Sequence, residues 1–322
     1  MKSVLSIIAL SLLAAVIVPL GFGEYGIILA TEILVWMLFA ISFDLILGYA
    51  GMLSIAHSLF FGLGAYTVIL LSRSFDANLV LLLLSAILVA AIAGVIVGAI
   101  SVRAVSHSFI VVTLIFSQVG FLVALSWRSL TGGDDGINVK AINTDMLGWH
   151  LDLTNASNAF LFCLVVVTVS YLLLRRIVNS PLGDAFVAVR ENSDRAALLG
   201  YNVVLIRLAA FTIGAIFAGM AGALYASVFR YANADLFKWV VSGDAIIWTV
   251  VGGMGTLIGP ALGTAVLIVV RDQVSVVSPE LYLVFVGSLI IVAAVFAPRG
   301  IMGWLAPGLV TLKDRLFGRS KN

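Results

Sequence analysis

The chain has 322 residues, 62% of them hydrophobic and 11% charged, with a formal net charge of +2. A soluble fold carries about 25% charged residues, so this composition excludes one and points to an integral membrane protein. The apolar runs are continuous rather than alternating, which selects helices over a transmembrane barrel, and with no basic patch nucleic acid is not a natural partner. The single cysteine, Cys163, lies in an apolar run and can form no intramolecular disulfide.

A helix crosses about 30 Å of hydrocarbon with about 20 residues. In chain order, runs of that kind fall at 4–22, 27–47, 79–101, 107–127, 159–178, 208–229 and 281–297. Two further apolar stretches, 51–72 and 243–271, are interrupted by glycine. The first run follows Lys2, as a secretion signal would. No small-residue cleavage pattern follows it, and Pro19-Leu20-Gly21 leads towards the next span, so it reads as a retained helix. The expected fold is an all-α polytopic membrane protein of about eight or nine transmembrane helices with broken or re-entrant glycine-rich segments. Residues 1–310 form the transmembrane domain and 311–322 a short basic tail.

Basic residues set the orientation. With the N-terminus inside, and 243–271 forming a hairpin, the inside holds 12 of the 18 Lys and Arg residues and the outside 6. The loop 128–158 is then periplasmic. The longest inner loop is 179–207, and the tail is cytoplasmic.

Motifs for independent chemistry are missing. None of the five lysines follows a glycine, so the chain has no P-loop. Gly21-Phe-Gly23-Glu-Tyr-Gly26 spells a dinucleotide fingerprint, but it joins two membrane spans rather than a strand to a helix. His57, His107 and His150 are far apart and make no metal pair. Ion-driven transport tends to leave charges inside spans. Only Glu32 and Asp44 stand there clearly, each near a span end, where snorkelling or the capping of a neighbouring helix accounts for them. The chain is therefore read as non-enzymatic and as binding no metal or cofactor of its own.

Two segments break the helical pattern. One runs from Gly48 to Gly64 and contains Ser54 and His57; the other runs from Gly252 to Gly263 and contains Gly252, Gly253, Gly255 and Pro260. Each glycine costs a helix about 1 kcal/mol and proline about 3. Broken backbone at membrane depth survives only where protein or a water-filled cavity satisfies it. One such segment in each half of the chain suits a substrate path built from discontinuous helices. Close helix packing through Gly94xxxGly98 and Gly255xxxGly259xxxGly263 is the other reading. The path reading assigns Ser54 and His57 to one helical face, with the backbone at 252–255 opposite them.

The inner loop places Pro181 where a helix could begin and Gly200 where one could stop. Apolar residues 182, 186, 187, 189 and 196–199 suggest one or two short amphipathic helices. Gly183, Asp184, Arg190, Glu191, Asp194, Arg195 and Gly200 are the candidates for docking a soluble partner.

Leu47-Gly48-Tyr49-Ala50-Gly51-Met52-Leu53-Ser54-Ile55-Ala56-His57, Phe60-Phe61-Gly62-Leu63-Gly64-Ala65-Tyr66, Leu130-Thr131-Gly132-Gly133-Asp134-Asp135-Gly136 and Gly252-Gly253-Met254-Gly255-Thr256-Leu257-Ile258-Gly259-Pro260 resemble the signature of LivM-type permeases of branched-chain amino acid ABC importers. The inner loop, from Ser180-Pro181 through Arg190-Glu191-Asn192 to Gly200-Tyr201-Asn202, resembles their EAA loop, with Asp194 in the glutamate place. The family pattern has asparagine where Asp44 stands and glutamine where Met52 stands. The resemblance implies a bacterial inner-membrane subunit paired with a second, similar permease. Two cytoplasmic ATPases that consume ATP and a periplasmic binding protein would complete the importer. Urea or short amides are the alternative substrates within the family; an ion-coupled secondary transporter and a structural subunit are the alternatives outside it.

The orientation is open to test. A fluorescent protein fused after Asn322 is expected to fluoresce in the cell. Alkaline phosphatase activity from the same junction would eliminate the hairpin at 243–271.

Overall fold

A computed structural model of the chain describes residues 2–75, 78–104, 106–139, 142, 145–146, 149–150, 152–277, 287–288 and 300–302. The span expected at 281–297 falls almost wholly outside the described residues, and so does the tail 311–322.

Helices dominate: α1 (Lys2–Gly21), α2 (Glu24–Asp44), α3 (His57–Ser74), α4 (Leu79–Ser101), α5 (Ser106–Ser126), the single turn α6 (Arg128–Thr131), α7 (Ala156–Val178), α8 (Pro181–Glu191), α9 (Ser193–Leu198), α10 (Val203–Phe229), α11 (Trp239–Gly252) and α12 (Ile258–Val277). Six of the described helices are long and apolar enough to cross a membrane by length and composition, and Ile7–Gly21 and Trp239–Gly252 are shorter apolar helices. The chain is an all-α polytopic membrane protein. Asparagine opens four of its helices, since a short side-chain oxygen can reach the free N–H groups of a first turn. Asn78 accepts from Leu81 N, Asn155 from Ser157 N, Asn192 from Arg195 N and Asn202 from Leu205 N.

Lipid replaces water outside the bundle, so its outer face is apolar as well as its core. On α4, Leu81, Leu84, Leu88, Ile92, Ile96 and Ile100 are exposed at helical spacing. Small residues hold the opposite face: Ala86, Ala90 and Gly94 are buried, and Gly94 sits against Ala215 of α10. Between α3 and α10 the spacing is tighter still. A Cβ at position 64 would overlap the Gly219 carbonyl, and one at 222 the Phe61 carbonyl. These two helices touch backbone to backbone.

The stretch 243–271 folds as expected into two helices joined by a turn. The hairpin lies along α2. Leu257 N meets Asp44 at the end of α2, while Arg271 pairs with Glu32 and Asp272 accepts a hydrogen bond from Tyr25 near its start. α12 is therefore antiparallel to α2. Close packing through small residues is also present: a Cβ at 252 would overlap the Gly259 carbonyl, and one at 263 the Trp248 carbonyl.

The first broken segment differs from expectation in one respect. After α2 the chain passes through a π-helical turn, Leu45–Tyr49, and α3 begins only at His57. Ser54 is outside the helix, so it does not share a helical face with His57. The loop 128–158 is tied down by two short antiparallel pairings. Ile137–Asn138 (β1) joins Tyr231–Ala232 (β4), and Asp145–Met146 (β2) joins Trp149–His150 (β3).

Gly252→Val forces a branched side chain into the α11–α12 contact. Overpacking of this kind costs about 1–3 kcal/mol. A clear fall in the thermal midpoint of the detergent-purified protein is expected. An unchanged midpoint would mean that the hairpin does not need its close contact.

Candidate translocation and coupling site

The centre of the site is the Asp44 carboxylate, fully buried at the end of α2. Its Oδ1 accepts from Gly255 N at 2.7 Å and its Oδ2 from Leu257 N at 3.0 Å. These donors lie in the turn that opens α12, where helix geometry leaves N–H groups without intrahelical partners and a partial positive charge. Thr256 completes the cap by accepting from Gly259 N at 2.9 Å. The turn needs unusual backbone: Gly253 has φ 117°, Gly255 φ 73° and Leu257 φ 57°. A leucine in the left-handed region costs about 1–2 kcal/mol, and the bond from its own N–H to Asp44 offsets that strain. Gly48 is glycine because a Cβ there would overlap both Asp44 Oδ1 and Gly255 N.

Arg190, near the end of α8, reaches into the same junction. Its Nη1 donates to the Gly48 carbonyl, one of the groups at the break between α2 and α3. Gly51, at φ 69°, leaves room for its stem: a Cβ there would lie 2.5 Å from Arg190 Cγ. Nη2 pairs with Glu191 at 2.6 Å. Arg190 is itself exposed, like Asp184, Asp194 and Arg195, but the tip of its side chain reaches the first broken segment.

The unwound stretch before α3 is satisfied by hydroxyl groups from other helices. Ile55 N donates to Thr113 Oγ1 at 3.1 Å, and the Ile55 carbonyl accepts from Ser242 Oγ at 2.7 Å. Ser58 N donates to Ser242 Oγ at 2.8 Å, and Ser117 Oγ donates to the Phe237 carbonyl at 2.7 Å. All four hydroxyl-bearing residues, Ser58, Thr113, Ser117 and Ser242, are fully buried. This is how broken backbone persists at membrane depth without water.

Ser54 and His57 are fully buried as well. Ser54 Oγ accepts from Ala56 N at 3.2 Å and so stabilises the turn into α3. The Ser42 hydroxyl has one proton, which it donates to the Phe39 carbonyl at 2.7 Å. His57 Nε2 is therefore the donor to Ser42 Oγ, at 2.8 Å. His57 Nδ1 has no partner among the described residues, and the ring sits between Phe39 and Phe43 at centroid distances of 4.9 and 5.2 Å. Neither side chain reaches a surface in this conformation.

Glu32 stands at the other end of α2. Its Oε1 lies 2.5 Å from Arg271 Nη2 and accepts from Trp36 Nε1 at 3.3 Å. Trp36 stacks on Phe61 at 4.8 Å and meets the Trp248 edge at 5.6 Å. Both span carboxylates thus have structural partners.

The inner loop forms as two short helices. Pro181 occupies the first turn of α8, whose buried face carries Gly183, Ala185, Phe186 and Val189. After α9, Gly200 N donates to the Ala197 carbonyl and Tyr201 N to the Ala196 carbonyl, with Gly200 at φ 91°. That pair of bonds is a Schellman stop. Glu191, Asp194 and Arg195 are exposed, and so are Leu198 and Leu199 at the tip, at 89% and 73%. Two apolar side chains held this far into solvent form a knob rather than a core.

A family model described as the branched-chain amino acid transport system permease component matches residues 25–294. The chain belongs to that family. It is 27% identical to the permease LivM of the high-affinity branched-chain amino acid transport system of Escherichia coli K12 over 329 residues, spanning 96% of this chain and 77% of that one. It is also 27% identical to LivM of Salmonella typhimurium over 319 residues, 92% of this chain and 75% of the relative. LivH of E. coli K12, a permease protein of the same kind of system, is 26% identical over 282 residues, 83% of this chain and 91% of LivH. No solved structure matches the chain.

The clamp of this permease on its hairpin is testable at position 44. Hydrogen bonds to a charged group contribute about 1.5–3 kcal/mol each. Asp44→Ala loses two and is expected to lower both thermal stability and uptake severely. Asp44→Asn keeps one acceptor oxygen but turns an NH2 group towards the second N–H, so it falls between alanine and wild type. An alanine variant as stable and active as wild type would show that the clamp carries no weight.

Proposed function

We propose that this chain is the membrane-spanning permease subunit of an ATP-driven importer that carries branched-chain amino acids across a bacterial inner membrane. The observation that carries the reading is the joint at Arg190. One side chain of the inner loop donates to the Gly48 carbonyl and packs against Gly51, and Gly48 sits closely against Gly255 N, so displacement of α8 acts on the first broken segment and through it on the second. The substrate class rests on the similarity to LivM and LivH proteins.

In this reading the chain binds no cofactor. Two cytoplasmic ATPases supply the energy, a second related permease lies beside it, and a periplasmic protein delivers the solute. Both termini are cytoplasmic. The ATPases grip the exposed rim formed by Glu191, Asp194, Arg195 and the Leu198–Leu199 knob. Their closure shifts α8, and Arg190 carries the shift to the backbone at Gly252, Gly253 and Gly255 and to the segment containing Ser54 and His57. Ser54, His57, Gly252 and Gly253 are buried in the present conformation and Gly255 is partly exposed; together they act as a gate whose opening brings them to the path. A zwitterion stripped of water is held there by dipoles, since a helix N-terminus offers about half a positive charge to a carboxylate.

The test is uptake of labelled leucine, valine and urea by cells lacking and then regaining the gene. Leucine and valine uptake should return and urea uptake should not; restored urea uptake alone would give the path to amides. In the same cells, Arg195→Glu reverses an exposed charge and Gly200→Val forces a branched residue to φ 91°, which costs about 1–2 kcal/mol. Both are expected to abolish uptake and weaken ATPase retention on purification while the permease pair stays assembled. Full uptake with ATPases at normal stoichiometry in both variants would refute the docking role of the loop.

A further inference from the structure

On the side of the chain that carries the inner loop, a cavity of about 120 Å³ lies between the first broken segment, the junction of α4 with α5, and the start of α10. Gly51, Met52 and Leu53 form one wall, Val102, Phe109 and Ile110 are on the others, and Arg207 is the only charged residue of the lining among the described residues. Arg207 Nε is buried and has no hydrogen-bond partner among the described residues. A buried donor on a permanently charged group is costly when left unmade. Arg207 as a whole is partly exposed, so its fork can be reached from the mouth of the cavity while Nε points into it.

The geometry points to a binding site for a carboxylate carried on a short branched aliphatic chain, placed where solute leaves the broken segment. The guanidinium offers donors in a fixed fork that suits a carboxylate. The walls around it are aliphatic, aromatic and thioether. Apolar cavities of about 150 Å³ take up a molecule the size of benzene, so about 120 Å³ holds a four-carbon branched side chain. Among the described residues no acidic one lines the cavity, so an ammonium group would face its mouth. Met52 gives this wall a pliant apolar surface.

The site would also respond to coupling. Gly51 lines the cavity on one side and packs against the Arg190 stem on the other. Movement of α8 would therefore reshape the wall facing Arg207. This inference rests on the importer reading given above and adds to it a residue and a ligand group.

The experiment uses the complete importer in nanodiscs without its binding protein. Tritiated leucine is the probe, and leucinol, which lacks the carboxylate, and 4-methylpentanoate, which lacks the ammonium, are the competitors. The expected result is saturable leucine binding, displaced by 4-methylpentanoate about as well as by leucine and about tenfold or more less well by leucinol. Arg207→Gln should weaken leucine binding about tenfold or more and abolish the preference for a carboxylate. Ala104→Phe, which narrows the same cavity and leaves Arg207 in place, should weaken leucine and 4-methylpentanoate together. Co-purification of all subunits checks that each variant assembles.

Absence of carboxylate-dependent binding in the wild type, or an intact preference in Arg207→Gln, would overturn the inference. So would leucine binding indifferent to Arg207 together with loss of retained anionic phospholipid in the variant, since the cavity would then hold a lipid phosphate. If the wild-type importer carries no leucine in cells, the importer reading itself fails. If it carries leucine and Arg207→Gln changes neither binding nor uptake, only the present inference does.

Discussion

A single buried carboxylate determines where the two broken segments meet. Asp44 closes α2 and at the same time caps the turn that opens α12, 213 positions further along the chain. The arrangement is favourable because both ends of the contact lack alternatives. A carboxylate in an apolar interior is costly without donors, and the free N–H groups of a helix start are costly without an acceptor. Each removes the penalty of the other. With that contact made, Gly48 must be glycine, Leu257 can hold a left-handed backbone, and the hairpin of α11 and α12 is fixed in register along α2.

Around this clamp the bundle solves a recurrent difficulty of membrane proteins, the accommodation of non-helical backbone without water. Threonine and serine hydroxyls from α5 and α11 supply the missing partners around Ile55 and Ser58. Arg190 supplies another to the Gly48 carbonyl from outside the span. That last bond is different in kind, because its donor belongs to an element at the surface. It converts a local repair of broken backbone into a connection between the loop and the interior.

Much of the architecture was legible from residue types with local consequences. Continuous apolar runs gave the described spans, the glycines at 252–255 gave the hairpin, and Pro181 and Gly200 gave the start and stop of the helices in the loop 179–207, because proline and glycine act on their own backbone. What could not be read was pairing over long distances. Asp44 and Glu32 were recognisable as span-end carboxylates, and capping was among their readings, but no local pattern names Leu257 or Arg271 as partners. Thr113, Ser117 and Ser242 are ordinary hydroxyls within apolar helices until the fold brings them to Ile55 and Ser58. Arg190 was expected to face a partner because a charge on a short surface helix usually does. It is exposed as expected, but only the close approach of Gly51 and Gly48 reveals that its tip also reaches the broken backbone. Arg207 counted merely towards the charge bias that orients the chain.

The backbone contact between α3 and α10 has a mechanical consequence. With carbonyls seated against glycine at two points, and with Phe60 against Phe211 and Phe61 against Tyr225 filling the rest of the seam, sliding one helix past the other is costly and the pair is stiff as a unit. α10 has 27 residues, about 40 Å at 1.5 Å per residue, and it begins at the loop that carries α8 and α9. One end lies at that loop and the other at Arg230, beside the strand pairing of Tyr231 and Ala232. A small tilt at the loop end would be carried to the far end without bending anything in between, as along a lever arm.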